Sequence, residues 1–292
     1  MSTNNPTFAW LTDIHLNFLK LLERMEFYKE INACSASHIL ITGDIAEAIS
    51  LEMILAEMSE HIDKYIYFVL GNHDYYHGAV DEVKTMLSKL PYKKVRWLPG
   101  EHPVWTANVT LIGTDSWADG RYGNYHRSEV VMNDSKIIYD LYNATKNALL
   151  TMTFAGGALL TKMQELADKD AHQLWCTMEN AIQNTHPERD HDLFVVLTHI
   201  PPFPEVCKYN RSNTDKAWLP FYSCKATGDV LLKFANEHPE IKVLVLCGHT
   251  HSAAEYQPLP NLLVKCGGSE YYHPKINEIL EFDINNEFIN KK

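Results

Sequence analysis

The stretch FVLGNHDYYHG, residues 68–78, decides how the rest of this chain reads. An apolar run stops at Gly71, and Asn72, His73, Asp74 and His77 follow at once. All four can bind a cation or carry a proton. A chain that leaves a buried strand in this way is building a site at the strand's exit.

The same arrangement recurs along the 292 residues. TFAWLT (7–12), HILIT (38–42), YIYFVL (65–70), VTLIG (109–113), LFVVLT (193–198) and KVLVLC (242–247) are short, apolar on both faces and rich in β-branched or aromatic residues, as buried strands are. Between the first three lie FLKLLERMEFYKEI and LEMILAEMSEHI, whose apolar residues recur at helical spacing. That order predicts βαβ crossovers and a mainly parallel sheet, hence an α/β fold. Residues 118–190 read as a mainly helical insertion or cap within a single domain spanning 1–292, with loop signals at ADGRYGNYH and NTHPERDH. Near the C-terminus, NLLVKCG and NEILEFDINNEFIN read as consecutive strands turning at Asn285-Asn286, which predicts a second, more antiparallel sheet.

Five of these strands end in polar clusters: Asp13-Ile14-His15, Gly43-Asp44, Gly71-Asn72-His73-Asp74, His199, and Gly248-His249-Thr250-His251. Ligands of open α/β sheets bind beyond the carboxyl ends of the strands, so the clusters should converge on one rim. Alternation along an extended chain would give Asp13 and His15 a common side, and likewise His249 and His251. Mixed imidazole, carboxylate and amide donors suit divalent or trivalent Mn, Fe, Zn or Ni rather than calcium. Asp13, His15, Asp44, Asn72, His199, His249 and His251 exceed what one tetrahedral ion uses. Two ions about 3.5–4 Å apart, bridged by a shared carboxylate, would use them all. Any one of these residues alone would be a turn former or a structural side chain; it is their joint placement that points to a site.

D-x-H, G-D, G-N-H-D, a lone His after a strand and G-H-x-H, in that order from Asp13 to His251, resemble the calcineurin-like metallophosphoesterases. The resemblance implies a four-layer αββα sandwich of two facing mixed sheets flanked by helices. It implies that Asp13, His15 and His251 hold one ion, that Asn72, His199 and His249 hold the other, and that Asp44 bridges them. His73 would face the leaving-group oxygen as a general acid or charge-stabilising donor, with Asp74 orienting its ring. The activity implied is hydrolysis of a phosphate ester by a hydroxide bridging the two ions, whose charge lowers the pKa of water from about 15.7 toward about 7. Spacing agrees: Asp44 lies 29 residues after His15 and Asn72 lies 28 after Asp44, near the length of a βαβ unit. The 127 residues from Asn72 to His199 must hold further strands as well as the helical segment.

Beyond the motifs, Arg121 is a candidate grip on a phosphate oxygen and His77 a candidate substrate contact, while Tyr75 and Tyr76 are candidate pocket walls. A formal charge of -11 opposes nonspecific binding to nucleic acid or anionic lipid. The N-terminus lacks a basic segment followed by a long apolar stretch, so no signal peptide is expected, and ALLTMTFAGGALL (148–160) is too short to span a membrane. Six cysteines without a CxxC read as reduced thiols of a cytoplasmic protein. The expected substrate is therefore a small phosphodiester or phosphomonoester. The alternatives are a non-catalytic metal-binding interaction module on the same fold, or a protein phosphatase.

Overall fold

The computed structural model describes residues 6–100, 102–106, 109–151, 155–184, 193–209 and 212–282. Its strands are β1 (Thr7–Leu11), β2 (His38–Thr42), β3 (Tyr65–Val69), β4 (Val95–Trp97), β5 (Val104–Thr106), β6 (Val109–Gly113) and β7 (Leu193–Leu197). They continue as β8 (Lys208–Tyr209), β9 (Ser212–Asn213), β10 (Lys242–Cys247), β11 (Ala254–Leu259), β12 (Leu262–Cys266) and β13 (Glu278–Glu281). The helices are α1 (Leu21–Ala33), α2 (Ala48–His61), α3 (Val80–Leu87), α4 (Asp134–Ile137), α5 (Tyr139–Leu150), α6 (Ala155–Gln183), α7 (Leu219–Tyr222) and α8 (Lys225–Glu237). All six apolar runs form strands, and the interval from Asn72 to His199 does hold further ones, β4, β5 and β6.

The first sheet has the order β13-β1-β2-β3-β4 and the second β11-β12-β10-β7-β6-β5. β1, β2, β3 and β4 run parallel, with β13 antiparallel at the edge of β1. In the second sheet β12, β10, β7 and β6 are parallel, and β11 and β5 are antiparallel edges.

The period of two along each strand sorts side chains into three cores. Ala9, Leu11, Ile39, Ile41, Ile66 and Phe68 face α1, α2 and α3. Phe8, Trp10, Leu40, Tyr67 and Val69 face the opposite way, and there they meet Leu111, Val195, Leu197, Leu244 and Leu246 of the second sheet. Phe194, Val196, Val243 and Val245 point outward again, to α6 and α8. Helix, sheet, sheet, helix is thus the four-layer order. Strands buried on both faces read as unbroken apolar runs for this reason. On α2 the fully buried Leu51, Ile54, Leu55 and Met58 fall at i, i+3, i+4 and i+7, one stripe worth about 1.5–3 kcal/mol per side chain.

Two expectations need correction. β12 and β13 are not neighbours: β12 joins β10 and β11, whereas β13 crosses to pair with β1 in the other sheet. Leu280 and Phe282 gain burial there between the two sheets, and Asn285-Asn286 lie outside the described residues. The segment 118–190, expected as a helical insertion or cap, contains α4, α5 and α6, and α6 does not sit over the fold as a cap. Met163, Leu166 and Ala167 pack into the core of the first sheet and Leu174, Met178 and Ala181 into that of the second, so α6 is part of the outer layer. Much of NTHPERDH lies outside the described residues. Among the described residues no helix is long and apolar enough to cross a membrane.

Candidate metal centre

Parallel strands place the ends of β1, β2 and β3 along one edge, and those of β7 and β10 face them across the gap between sheets. Backbone bonds lock the exits together: Asp13 N–H to Gly43 O (3.1 Å), His15 N–H to Asp44 O (2.9 Å) and Gly248 N–H to His199 O (3.0 Å). A side chain at Gly71 would meet the Asp44 carboxylate, and one at Gly248 would meet Thr12 and Asp13. Glycine is what lets the loops approach so closely.

Side chains do not converge by simple alternation, contrary to the sequence expectation. Asp13 (φ 49), His15 (φ 40), Asp44 (φ 54), His249 (φ 70) and His251 (φ 54) all occupy the left-handed region. Non-glycine residues adopt it at a cost and persist there when the surroundings hold them, typically at functional sites. The five side chains meet at the strand exits from these turns.

Asp13, His15, Asp44 and His251 bring one ligand atom each within 4.8 Å of one another. His251 Nε2 lies 3.4 Å from Asp13 Oδ1, and His15 Nε2 lies 3.7 Å from Asp44 Oδ2. Asp13 is further held by the His249 backbone N–H (3.0 Å) and by the Thr12 hydroxyl (2.7 Å). Beside this group, Asn72 Oδ1 lies 3.2 Å from His199 Nε2 and 3.0 Å from His249 Nδ1. Asp44 stands between the two groups, its Oδ1 3.5 Å from His199 Nε2. All seven sequence candidates therefore come together.

Whether these groups fit cations can be read from where their protons must be. The far nitrogen of His199, Nδ1, faces the Thr42 carbonyl at 2.8 Å, and that of His249, Nε2, faces the Phe221 carbonyl at 3.1 Å. A carbonyl only accepts, so both protons sit there. The site-facing nitrogens are then bare lone pairs. Asn72 Nδ2 donates to Asp134 (2.9 Å) and to the Tyr76 hydroxyl (3.2 Å), which turns its oxygen inward. Among the described residues, both ring nitrogens of buried His15 lack a hydrogen-bond partner. Acceptors facing acceptors, and a buried imidazole with no partner, are what a cation site looks like before its ions are counted.

Electrostatics point the same way. Burial lowers His15 and His249 to about 3 and His73 to about 2. Burial and the nearby charge of Asp13 push Asp44 well above the usual carboxylate range. Asp13 goes down: burial opposes its charge, but contact with His251 and the neighbouring imidazoles outweighs that. His251 goes up, because the Asp13 contact outweighs its own burial. Two carboxyl groups share this buried space with the neutral rings of His15 and His249, and cations would supply the positive charge that lets both ionise.

The remaining candidates divide. His73 lines the cavity of about 300 Å³ over the ligands, its Nε2 4.0 Å from Asp44 Oδ2 and its ring stacked on Tyr76 at 4.2 Å. Asp74 does not bond the His73 ring, whose Nδ1 has no hydrogen-bond partner among the described residues. Its oxygens accept from the backbone N–H groups of Ile45 (2.9 Å), Ala46 (2.8 Å) and Gly71 (2.8 Å), which ties the Asp44 loop to the Asn72 loop. Arg121 is not at the site either; it pairs with Asp119 (3.0 Å) and Asp168 (2.7 Å), and lines a separate surface hollow. His77 points outward, half-exposed, 3.8 Å from Glu47. Tyr75 is buried with its hydroxyl on Asp115, whereas Tyr76 does line the cavity. Unforeseen lining residues are Val131, Met132, Trp218, Tyr222 and Tyr271, and Asp134 is an unforeseen support. Among the described residues lining this cavity there is no Lys or Arg.

Comparison with known proteins follows from this geometry. The family model described as calcineurin-like phosphoesterase matches residues 6–253. Phosphopantetheinyl hydrolase from Mycobacterium tuberculosis superposes with a TM-score of 0.54 at 13% identity, over 90% of each chain. A dimetal phosphatase from Danio rerio superposes with a TM-score of 0.54 at 12% identity, over 91% of this chain and 88% of that one. At such identities the likeness shows the fold alone. A search of curated sequences finds no significant match.

Proposed function

This chain belongs to the calcineurin-like phosphoesterase family, and from that premise we propose that it hydrolyses a small phosphodiester at a centre of two transition-metal ions. Asp13, His15 and His251 would hold one ion, Asn72, His199 and His249 the other, and Asp44 both. When bound, the ions supply an activated water at neutral pH and compensate charge on the phosphoryl oxygens.

The protein's own groups would do the rest. Thr42, Phe221 and Asp134 keep three ligands in the right tautomer or orientation. His73, held neutral by burial, would donate an N–H to the departing oxygen as it gains charge, rather than act as an imidazolium acid. Among the described lining residues there is no Lys or Arg to offer a further fixed positive charge, which favours a singly charged diester over a dianionic monoester.

The observation that carries this reading is the set of ligand atoms that Asn72 Oδ1, His199 Nε2 and His249 Nδ1 turn toward one another beside Asp44. Its test is metal analysis of reconstituted protein, followed by assay on bis(4-nitrophenyl) phosphate and 4-nitrophenyl phosphate with each of Mn, Fe, Zn and Ni. Metal-dependent turnover favouring the diester is expected. Two ions bound with no turnover on any ester would instead mark a binding module.

A further inference from the structure

Asp115 follows the end of β6 and is not among the described residues lining the cavity over the ligands. It is 1% exposed, yet it reaches both sheets. Its carbonyl accepts from the His199 N–H (3.2 Å), next in line after the Thr114 N–H to Leu197 O bond (2.9 Å), so it carries the pairing of β6 with β7 out to a ligand. Its carboxylate serves the first sheet. Oδ1 accepts from the Leu70 N–H (2.8 Å), just ahead of Gly71-Asn72, and from the indole N–H of Trp97 at the end of β4 (3.0 Å). Oδ2 accepts from the hydroxyl of Tyr75 (2.7 Å), which closes the short turn His73–Tyr75. One buried acid thus holds the exits of β3 and β7 and the turn that carries His73.

A second observation concerns what holds that acid. Lys84 of α3 lies 3.6 Å from Asp115 Oδ2 and 2.9 Å from Oδ1 of Asp170 on α6. Burial opposes its charge, but the two carboxylates outweigh burial and keep the ammonium above its ordinary range. A carboxylate with donors on both oxygens and a cation beside it is fixed in place. Along the chain, the Gly71 N–H goes to Asp74 (2.8 Å), so neighbouring N–H groups ahead of Asn72 are held by different acids. An apolar side chain would fill the Asp115 position without the desolvation that a buried charge costs. What it could not do is grip Leu70 and Tyr75.

We infer that Asp115 is a positioning residue for the second ligand group and for His73. Through Leu70 and its own carbonyl it sets the spacing of Asn72 and His199, which come from opposite sheets, and through Tyr75 it sets the His73 turn. The two oxygens therefore have separable effects, Oδ1 on the ion and Oδ2 on the leaving-group donor. This rests on the metal-centre reading above and adds to it a residue that touches neither ion nor ester.

The test is calorimetric titration of the metal-free protein with Mn, which reads each ion without turnover. Asn72→Ala, lacking a ligand of the second ion, identifies which binding step is which. Asp115→Ala should weaken that second ion about 10–100-fold and leave the first within about twofold. An acid that only stabilised the fold would lower the urea midpoint and move both ions alike. Asp115→Asn should restore the affinity, because the N–H groups of Leu70 and Trp97 both donate and so fix its amide oxygen at the Oδ1 position. Its NH2 then faces the Tyr75 hydroxyl, so Asp115→Asn and Tyr75→Phe should both lower kcat on bis(4-nitrophenyl) phosphate about tenfold with KM unchanged.

Equal weakening of both ions in Asp115→Ala, or none, overturns the positioning role and leaves the functional reading standing. Should Asp115→Ala fail to fold, the other two variants decide, and an unchanged kcat in both overturns it. A wild-type protein that binds two ions and hydrolyses no ester sinks the functional reading, and the titration alone then decides the role of Asp115. No ion bound by the wild type overturns both.

Discussion

Asn72 Oδ1 and His199 Nε2 lie 3.2 Å apart, and neither has a proton to give the other. The proton of His199 is committed to Thr42 O, and the amide protons of Asn72 to Asp134 and Tyr76. In that tautomer two acceptors face each other, and a cation between them would satisfy both. Chelation should therefore lower the melting temperature and Mn or Zn should raise it, by about 2.7 kcal/mol of stability at a hundred times the dissociation constant. Asp44→Asn should abolish both the rise and the hydrolysis while leaving the circular dichroism spectrum native. Full activity in that variant would remove Asp44 from the mechanism.

Asp134 reaches Asn72 from α4, 62 residues away, and accepts from its amide (2.9 Å) and from the Tyr76 hydroxyl (2.8 Å). Asp134→Ala frees the Asn72 amide to rotate. Affinity for the second ion should drop about 10–100-fold, the usual cost of losing an outer partner of a ligand. Tyr76→Phe, which keeps the carboxylate, should cost less. Calorimetric titration with Mn resolves the two, and equal affinities in all three proteins would rule the support out.

Asp74 and His73 are adjacent in sequence and separable in effect. Asp74→Asn puts an amide NH2 donor where backbone N–H groups of Ile45, Ala46 or Gly71 need an acceptor, and should cost about 1–3 kcal/mol in denaturant titrations. Metal affinity should fall with it. His73→Gln should leave stability nearly unchanged and lower kcat, by about 10²–10⁴-fold if the donor acts in the transition state. If Asp74→Asn behaved like His73→Gln, the clamp would be the wrong account.

Acid should weaken the metal-free fold. His15 and His249 are lowered to about 3 and His73 to about 2, chiefly by burial, while the unfolded chain takes up these protons near 6.5. The folded state binds fewer protons, so their contribution is present above pH 6.5 and is lost as pH falls toward 3. Each imidazole adds a slope of up to about 1.4 kcal/mol per pH unit. Urea midpoints at pH 7, 6 and 5 should fall in order, less steeply in His15→Gln. A flat profile would contradict the buried, neutral imidazoles.

Much of this was legible in the sequence because strands buried on both faces are unbroken apolar runs, and their polar exits stand out. Asp13, His15, Asp44, Asn72, His199, His249 and His251 could be named for that reason. The supports could not. Thr42 and Phe221 act through carbonyls, which every residue has, and Asp134 acts across a long separation that only folding closes. Proximity in sequence misled at His77, which a left-handed turn (φ 65) carries outward, and at Asp74, whose acceptor capacity the backbone takes. Arg121 was misread because Asp119 and Asp168 are strong local partners. The edge strands β4, β5 and β11 were missed, being short or only half-buried.

Each ligand group joins early residues to late ones: Asp13 and His15 with His251, Asn72 with His199 and His249. A nascent chain that has not yet passed residue 249 owns Asp13, His15, Asp44, Asn72 and His199 but lacks the last ligand of each nest. Ion capture thus waits until β10 takes its place beside β7 and brings His249 and His251 to both halves together. The centre is in this sense a check that the two sheets have met.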